Sequence, residues 1–109
     1  MTGFFNGTAT AMITPFTRDG SVDYKSFGKM IDFQIENGTD VLVILGTTGE
    51  PATMTEEEKD EVMRFSVQKI AGRAKIVFGS GSNSTAHAVE ASKKAEKLGA
   101  DGLLVVTPY

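Results

Sequence analysis

Four short apolar runs, at residues 7–13, 41–45, 75–79 and 102–106, alternate with three stretches of helical period, and nothing else in the chain narrows its possible folds so far. The runs are rich in β-branched residues, are too short for independent helices and lack regular polar alternation. Strands covered on both faces have that character, as in parallel sheets whose crossover helices pack outside. The stretches between them carry start and stop signals. Asp23 can cap the first, Val22 is placed to staple its opening turn, Phe27, Met30, Ile31 and Ile35 fall on one side, and Gly38 can take the left-handed stop after Asn37.

The second stretch opens on Thr55 with Glu58 three residues on, a capping box, and Glu56 and Glu57 add negative charge at the positive end of the helix dipole. Met63, Val67 and Ile70 form its inward stripe before Gly72. The third has Ser84 as its cap, Ala88, Ala91, Ala95 and Leu98 as a small-residue stripe suited to close packing on a sheet, and Lys93, Lys94 and Lys97 crowding the end before Gly99. The pattern is (βα)3β. Gly38-Thr39-Asp40-Val41 is echoed by Gly99-Ala100-Asp101-Gly102, which is the recurrence of a βα unit and not a solenoid repeat.

With 109 residues and no linker or low-complexity segment, the chain reads as a single partial domain over 1–109. A fourth βα unit is begun without its helix. Length alone leaves open a small α/β domain or the front portion of a barrel, which needs eight strands. The absence of cysteine excludes disulfides and thiolate metal sites, and a single histidine, His87, excludes a multi-histidine site. A net charge of -3 with dispersed lysines leaves no footprint for nucleic acid or an anionic membrane. The start, Met1 to Asn6, has no basic region leading into a long apolar stretch, and no run approaches the roughly 18 apolar residues of a membrane span. The expectation is a cytoplasmic protein without metal or cofactor.

Functional signal concentrates just after the second apolar run, at Gly46-Thr47-Thr48-Gly49-Glu50. In α/β proteins ligands sit at the carboxyl ends of the strands, and paired threonines between glycines offer hydroxyl and N–H donors with little bulk. That suits a carboxylate. The other runs end in Thr14-Pro15, Gly79-Ser80-Gly81-Ser82-Asn83 and Thr107-Pro108-Tyr109. Singly each is an ordinary turn; four together on one face make a binding site. Residues 79–84 begin like a dinucleotide fingerprint but have Ser84 at the third glycine and follow the third strand, so a glycine-rich turn into a capped helix explains them without a ligand. His87 reads as a surface or capping residue, the glutamates 56–58 as helix-terminus charge, and Glu50 as a salt-bridge or N-terminal contact before general acid work. Tyr109 could donate from its phenol or stack at a subunit contact. Lys75 only opens the third run, at the opposite, structural end, and the other lysines fall on polar helix faces, so a Schiff-base nucleophile cannot be placed.

Gly46-Thr47-Thr48-Gly49-Glu50, with Thr14-Pro15-Phe16 before it and Val105-Val106-Thr107-Pro108-Tyr109 after it, resembles the dihydrodipicolinate synthase family of the pyruvate-dependent, N-acetylneuraminate lyase-like aldolases. The likeness spans the whole chain in order. The paired threonine and the Thr-Pro-Tyr ending look more like the synthases than the neuraminate lyases, which usually show Ser-Thr and Ala-Pro there. The resemblance implies the amino-terminal (βα)3β portion of a (β/α)8 TIM barrel, the first half of that domain. It implies an enzyme in which pyruvate forms a Schiff base with a lysine outside this chain and condenses with aspartate semialdehyde in lysine (diaminopimelate) biosynthesis. Thr48 would bind the pyruvate carboxylate and relay protons, and Thr47 would link it to a tyrosine donated across a dimer interface.

By the same resemblance Tyr109 is a neighbouring interface residue and not the relay tyrosine, which would follow it. Asn83 and Tyr109 match the family's lysine feedback site, whereas Glu56 and Lys59 stand where lysine-sensitive members tend to carry histidines and His87 replaces a usual glutamate. Weak or absent lysine inhibition is expected. The implied assembly is a homo-oligomer, dimer or tetramer, and the chain alone should be inactive. Alternatives are a sugar-acid lyase of the same superfamily, acting on N-acetylneuraminate or a keto-deoxy acid, a small flavodoxin-like module using residues 79–83 for a phosphate, or one half of a split enzyme.

Overall fold

A computed structural model describes residues 7–80 and 85–105. Four strands, β1 (Ala9–Ala11), β2 (Val41–Ile44), β3 (Lys75–Gly79) and β4 (Gly102–Leu104), form one sheet in the order β1-β2-β3-β4. Every pairing is parallel, with Ala9 opposite Val41, Val41 opposite Lys75, and Val77 opposite Gly102. Helices α1 (Tyr24–Glu36), α2 (Glu56–Ile70) and α3 (Thr85–Leu98) connect consecutive strands. A sheet whose strands follow chain order without reversal has no switch point, and so is not the doubly wound sheet of a flavodoxin-like module.

The local signals account for the helices. Asp23 caps α1, accepting from the Ser26 N–H at 3.0 Å, while Val22 and Phe27 both lie in the core. Thr55 and Glu58 form the reciprocal capping box of α2. Gly38 and Gly99 take left-handed angles after α1 and α3, but α2 already turns left-handed at Ala71, before Gly72. The Ser84 cap lies outside the described residues.

One face of the sheet carries the core. Leu42, Ile44, Ile76 and Phe78 point to the helices and pack with Phe27, Ile31, Val62, Met63, Ile70 and Ala95. Each fully buried large side chain contributes about 1.5–3 kcal/mol. The helix stripes differ in detail from expectation. Met30, Ile35 and Val67 are only half-buried, Ala95 alone of its stripe is fully buried, and Val62 and Ser66 are buried without having been anticipated. The α2 stripe is wider because that helix packs on both α1 and α3. The Ser66 hydroxyl tolerates this burial by donating to the Val62 carbonyl at 2.7 Å.

The opposite face is not covered by helices. Val41 there is buried, but Val43 and Val77 are half-buried and Ala9 and Ala11 are exposed, so the expected cover on both faces is full on one face and partial on the other. β3 coincides with its apolar run, whereas β1 and β2 are shorter than theirs, β1 by most of its length, and the end of the fourth run lies outside the described residues.

Candidate functional site

The carboxyl ends of four parallel strands lie along one edge of the sheet, which places the polar strand-end segments together. The segment after β2 is the most constrained of them. The chain leaves β2 through Leu45, a leucine 3% exposed that holds a positive φ of 61°. It then makes a single 3-10 turn, Thr47–Gly49, closed by the Gly49 N–H donating to the Gly46 carbonyl at 2.8 Å. Glu50 follows with φ 58°, and a second such turn, Pro51–Thr53, leads to the α2 cap. Left-handed angles are costly for side chains other than glycine and asparagine, on the order of 1 kcal/mol or more each. Two of them bracket the paired threonines.

Neighbouring strands hold this turn from both sides. Gly49 lies against β1's end: a methyl group added there would sit 3.1 Å from Thr14 Oγ1 and 3.3 Å from the Met12 carbonyl oxygen. Gly46 lies over Val43 and Leu104, at 3.3 and 3.6 Å from the same kind of added carbon. On the β3 side, the Leu45 carbonyl presses on the Gly79 backbone so closely that a methyl group at Gly79 would overlap its oxygen. Glycine is the side chain that fits.

The strand ends divide into two kinds. Thr14 and Ser80 are turned inward, each 4% exposed, and do structural work. Ser80 donates its N–H to the Leu104 carbonyl at 3.0 Å and accepts from the Ser92 hydroxyl at 2.9 Å, tying β3 to β4 and α3. Thr48, by contrast, is exposed in the turn beyond β2, where its hydroxyl can meet a ligand. Its companion Thr47 stands directly before it in the same turn. Of the other expected contributors, Asn83 and Tyr109 lie outside the described residues, as do Thr107 and Pro108.

The remaining candidates fall away from this turn or are used otherwise. Glu50 is exposed and its carboxylate makes no hydrogen bond among the described residues. Glu56 pairs with Lys59 at 3.2 Å on the first turn of α2, and His87 is exposed on the first turn of α3. Tyr24 packs against Phe65 with tilted rings, their centroids 4.9 Å apart. Burial, with the nearby carboxylates of Glu61 and Glu58, pushes its phenol up to about 12, so it holds its proton at neutral pH and is a poor relay. Among the described residues no group of three or more histidine, aspartate or glutamate side chains could hold a metal ion. No helix among them is long and apolar enough to cross a membrane. Sequence reasoning missed Leu45 as part of this site; Gly79 was counted among the strand ends, but its contact with Leu45 was not visible.

Known proteins share this arrangement. A family model described as the dihydrodipicolinate synthetase family matches residues 4–109. The 4-hydroxy-tetrahydrodipicolinate synthase of Caldicellulosiruptor bescii is 52% identical over 105 residues, covering 96% of this chain and 36% of that protein. Dihydrodipicolinate synthase from Aquifex aeolicus superimposes with a TM-score of 0.92 at 48% identity, over 96% of this chain and 36% of that one. The chloride-inhibited enzyme from Acinetobacter baumannii complexed with pyruvate does so with a TM-score of 0.94 at 43% identity and the same coverage. The chain thus spans about a third of the length of the relatives it matches, and its fold is that of the amino-terminal part of their TIM barrels.

Proposed function

The chain belongs to the dihydrodipicolinate synthetase family, and from that premise we propose that it supplies the carboxylate-binding rim of a pyruvate-dependent barrel enzyme. In this reading residues 1–109 form the first part of one barrel domain. The complete enzyme condenses pyruvate, held as a Schiff base on a lysine outside this chain, with aspartate semialdehyde on the route to lysine. Thr48 receives the pyruvate carboxylate. Thr47 passes protons between Thr48 and a tyrosine from a second subunit, and Asn83 and Tyr109 sit at that interface.

The observation that carries this reading is the exposed Thr48 in a one-turn helix at the carboxyl end of β2, wedged between the ends of β1 and β3. A carboxylate there would meet hydroxyl and backbone N–H donors, and hydrogen bonds to a charged partner are worth about 1.5–3 kcal/mol each. The rest of the reaction needs groups this chain lacks, since none of its lysines lies inside a strand except Lys75, at the opposite end of β3. The chain by itself should be inactive. Weak feedback by lysine belongs to the same reading, because Glu56 and Lys59 direct their charges to each other.

The test is steady-state kinetics of the complete enzyme with pyruvate and aspartate semialdehyde, beside N-acetylneuraminate and a keto-deoxy sugar acid. Activity with the first pair is expected. Thr48→Val, which keeps the shape and removes the hydroxyl, should lower kcat/KM for pyruvate by about 10- to 100-fold, the loss of one charge-assisted hydrogen bond. A variant as active as the parent, or a parent that cleaves only sugar acids, would overturn the proposal.

A further inference from the structure

The paired threonines rest on a surface that has no side-chain volume to spare. Leu45 turns left-handed at the end of β2, and its carbonyl is thereby aimed sideways at β3 instead of continuing the ladder. The place it occupies is where a side chain at Gly79 would begin. A carbon added to Gly79 would lie 2.6 Å from the Leu45 carbonyl carbon and 2.9 Å from the Gly46 nitrogen, so the contact is backbone on backbone and neither side can swing aside. Two further glycines complete the support. Gly46 sits on Val43 and Leu104, and Gly49 on Thr14 and the Met12 carbonyl.

From these contacts we propose that Gly79, a residue of the neighbouring strand with no functional group, is a positioning residue for the pyruvate carboxylate. It sets the height at which Leu45 and Gly46 deliver Thr47 and Thr48 to the mouth of the barrel. The left-handed Leu45 is the lever: because its carbonyl bears on β3, any displacement at Gly79 is passed through two peptide units to Thr47 and Thr48. Gly46 acts in the same way from β4 through Leu104. This inference rests on the proposed role of Thr48.

The physical expectation is a loss specific to carboxylate binding. Small misplacement of a binding group, of the order of 1 Å, lowers catalytic efficiency by up to about 100-fold. A purely structural glycine would lower thermal stability and leave the KM for pyruvate unchanged.

The experiment compares three variants of the complete enzyme, reading Tm, kcat and KM for each substrate. Gly79→Ala should raise the KM for pyruvate about tenfold or more, with the KM for aspartate semialdehyde little changed. Gly46→Ala meets only ordinary or slightly tight contacts and so keeps the fold; it should raise the pyruvate KM by a smaller factor in the same direction. Gly28→Ala is the reference. Gly28 is also closely packed, 3.3 Å from Phe65 Cζ by the same measure, but between α1 and α2, and its variant should alter Tm alone.

A pyruvate KM unmoved in both Gly79→Ala and Gly46→Ala overturns the inference. If Gly79→Ala does not fold, an unmoved KM in Gly46→Ala does so by itself. Failure of the underlying reading looks different: there the parent enzyme shows no pyruvate-dependent activity, or Thr48→Val matches the parent while the glycine variants are impaired.

Discussion

At the scale of single residues, charge placement on the helices matters as much as the rim. Asp32 on α1 lies between two cations of α2 and its exit, with Arg73 Nη2 at 2.8 Å and Lys69 Nζ at 3.0 Å. The Arg73 and Lys69 hydrogen bonds hold its carboxyl below the usual carboxylate range. A carboxylate whose folded value lies below its unfolded value contributes stability above the unfolded value, and that contribution is lost as pH falls through the folded value. Urea unfolding of the complete enzyme and of Asp32→Asn should therefore differ at neutral pH, with the parent the more stable, and converge below about pH 4. A gap that does not narrow at all as pH falls to where both forms unfold in acid would show that the ion pairs are not its source. The residues of the rim show how far sequence can be read at this scale. Gly46 to Glu50 stood out because small hydroxyl residues after an apolar run are a local pattern. Leu45 did not, because no local preference places a leucine at φ 61°; the contacts of β1, β3 and β4 impose it.

At the scale of elements, the echo between residues 38–41 and 99–102 has a physical meaning. Asp40 stands just before β2 and its carboxylate accepts the Thr8 N–H at 2.9 Å; Asp101 stands just before β4 and accepts the Ile76 N–H at 2.8 Å. In each case the captured amide directly precedes the residue paired with the first residue of the following strand, Ala9 with Val41 and Val77 with Gly102. The same bond is made twice, two βα units apart, and fixes the register of a parallel pair at its amino end. Asp101→Ala should cost about 1 kcal/mol in chemical denaturation and Asp40→Ala a similar amount, since each removes one hydrogen bond to a backbone N–H. An unchanged stability in either variant would mean that its bond is not a register lock. The helices and strands themselves were legible because caps, stripes and apolar runs are written over a few neighbouring residues. The α2 stripe was drawn too narrow, omitting Val62 and Ser66, because its width depends on two flanking helices that no local pattern reveals.

At the scale of the whole molecule, both outer strands of the sheet keep a free edge among the described residues, and apolar groups gather beside them. Ile13 and Phe33 are 51% and 60% exposed near β1, and Leu103, Leu104 and Val105 are 40%, 44% and 56% exposed at β4. A groove of about 480 Å³ between β1 and α1 is lined by Ala11, Met12, Ile13, Met30 and Phe33, together with the polar Thr10, Lys29 and Gln34. Open edges with adjoining apolar surface drive association. Sedimentation velocity of the 109-residue chain should show oligomers or aggregate growing with concentration; a monodisperse soluble monomer would count against this account. Parallel α/β layering was legible from the alternation, whereas the barrel came from the family resemblance of the strand-end motifs. The open edges followed from the count of strands, whereas the shape of the groove needed the helix positions.

The unreversed strand order carries a consequence for synthesis. Among these four, each strand docks on the one made just before it, so the loops closed at each step stay short. On the ribosome the wall can therefore be raised in the order of translation, and the hydroxyl-bearing rim of β2 can be seated once β3 emerges.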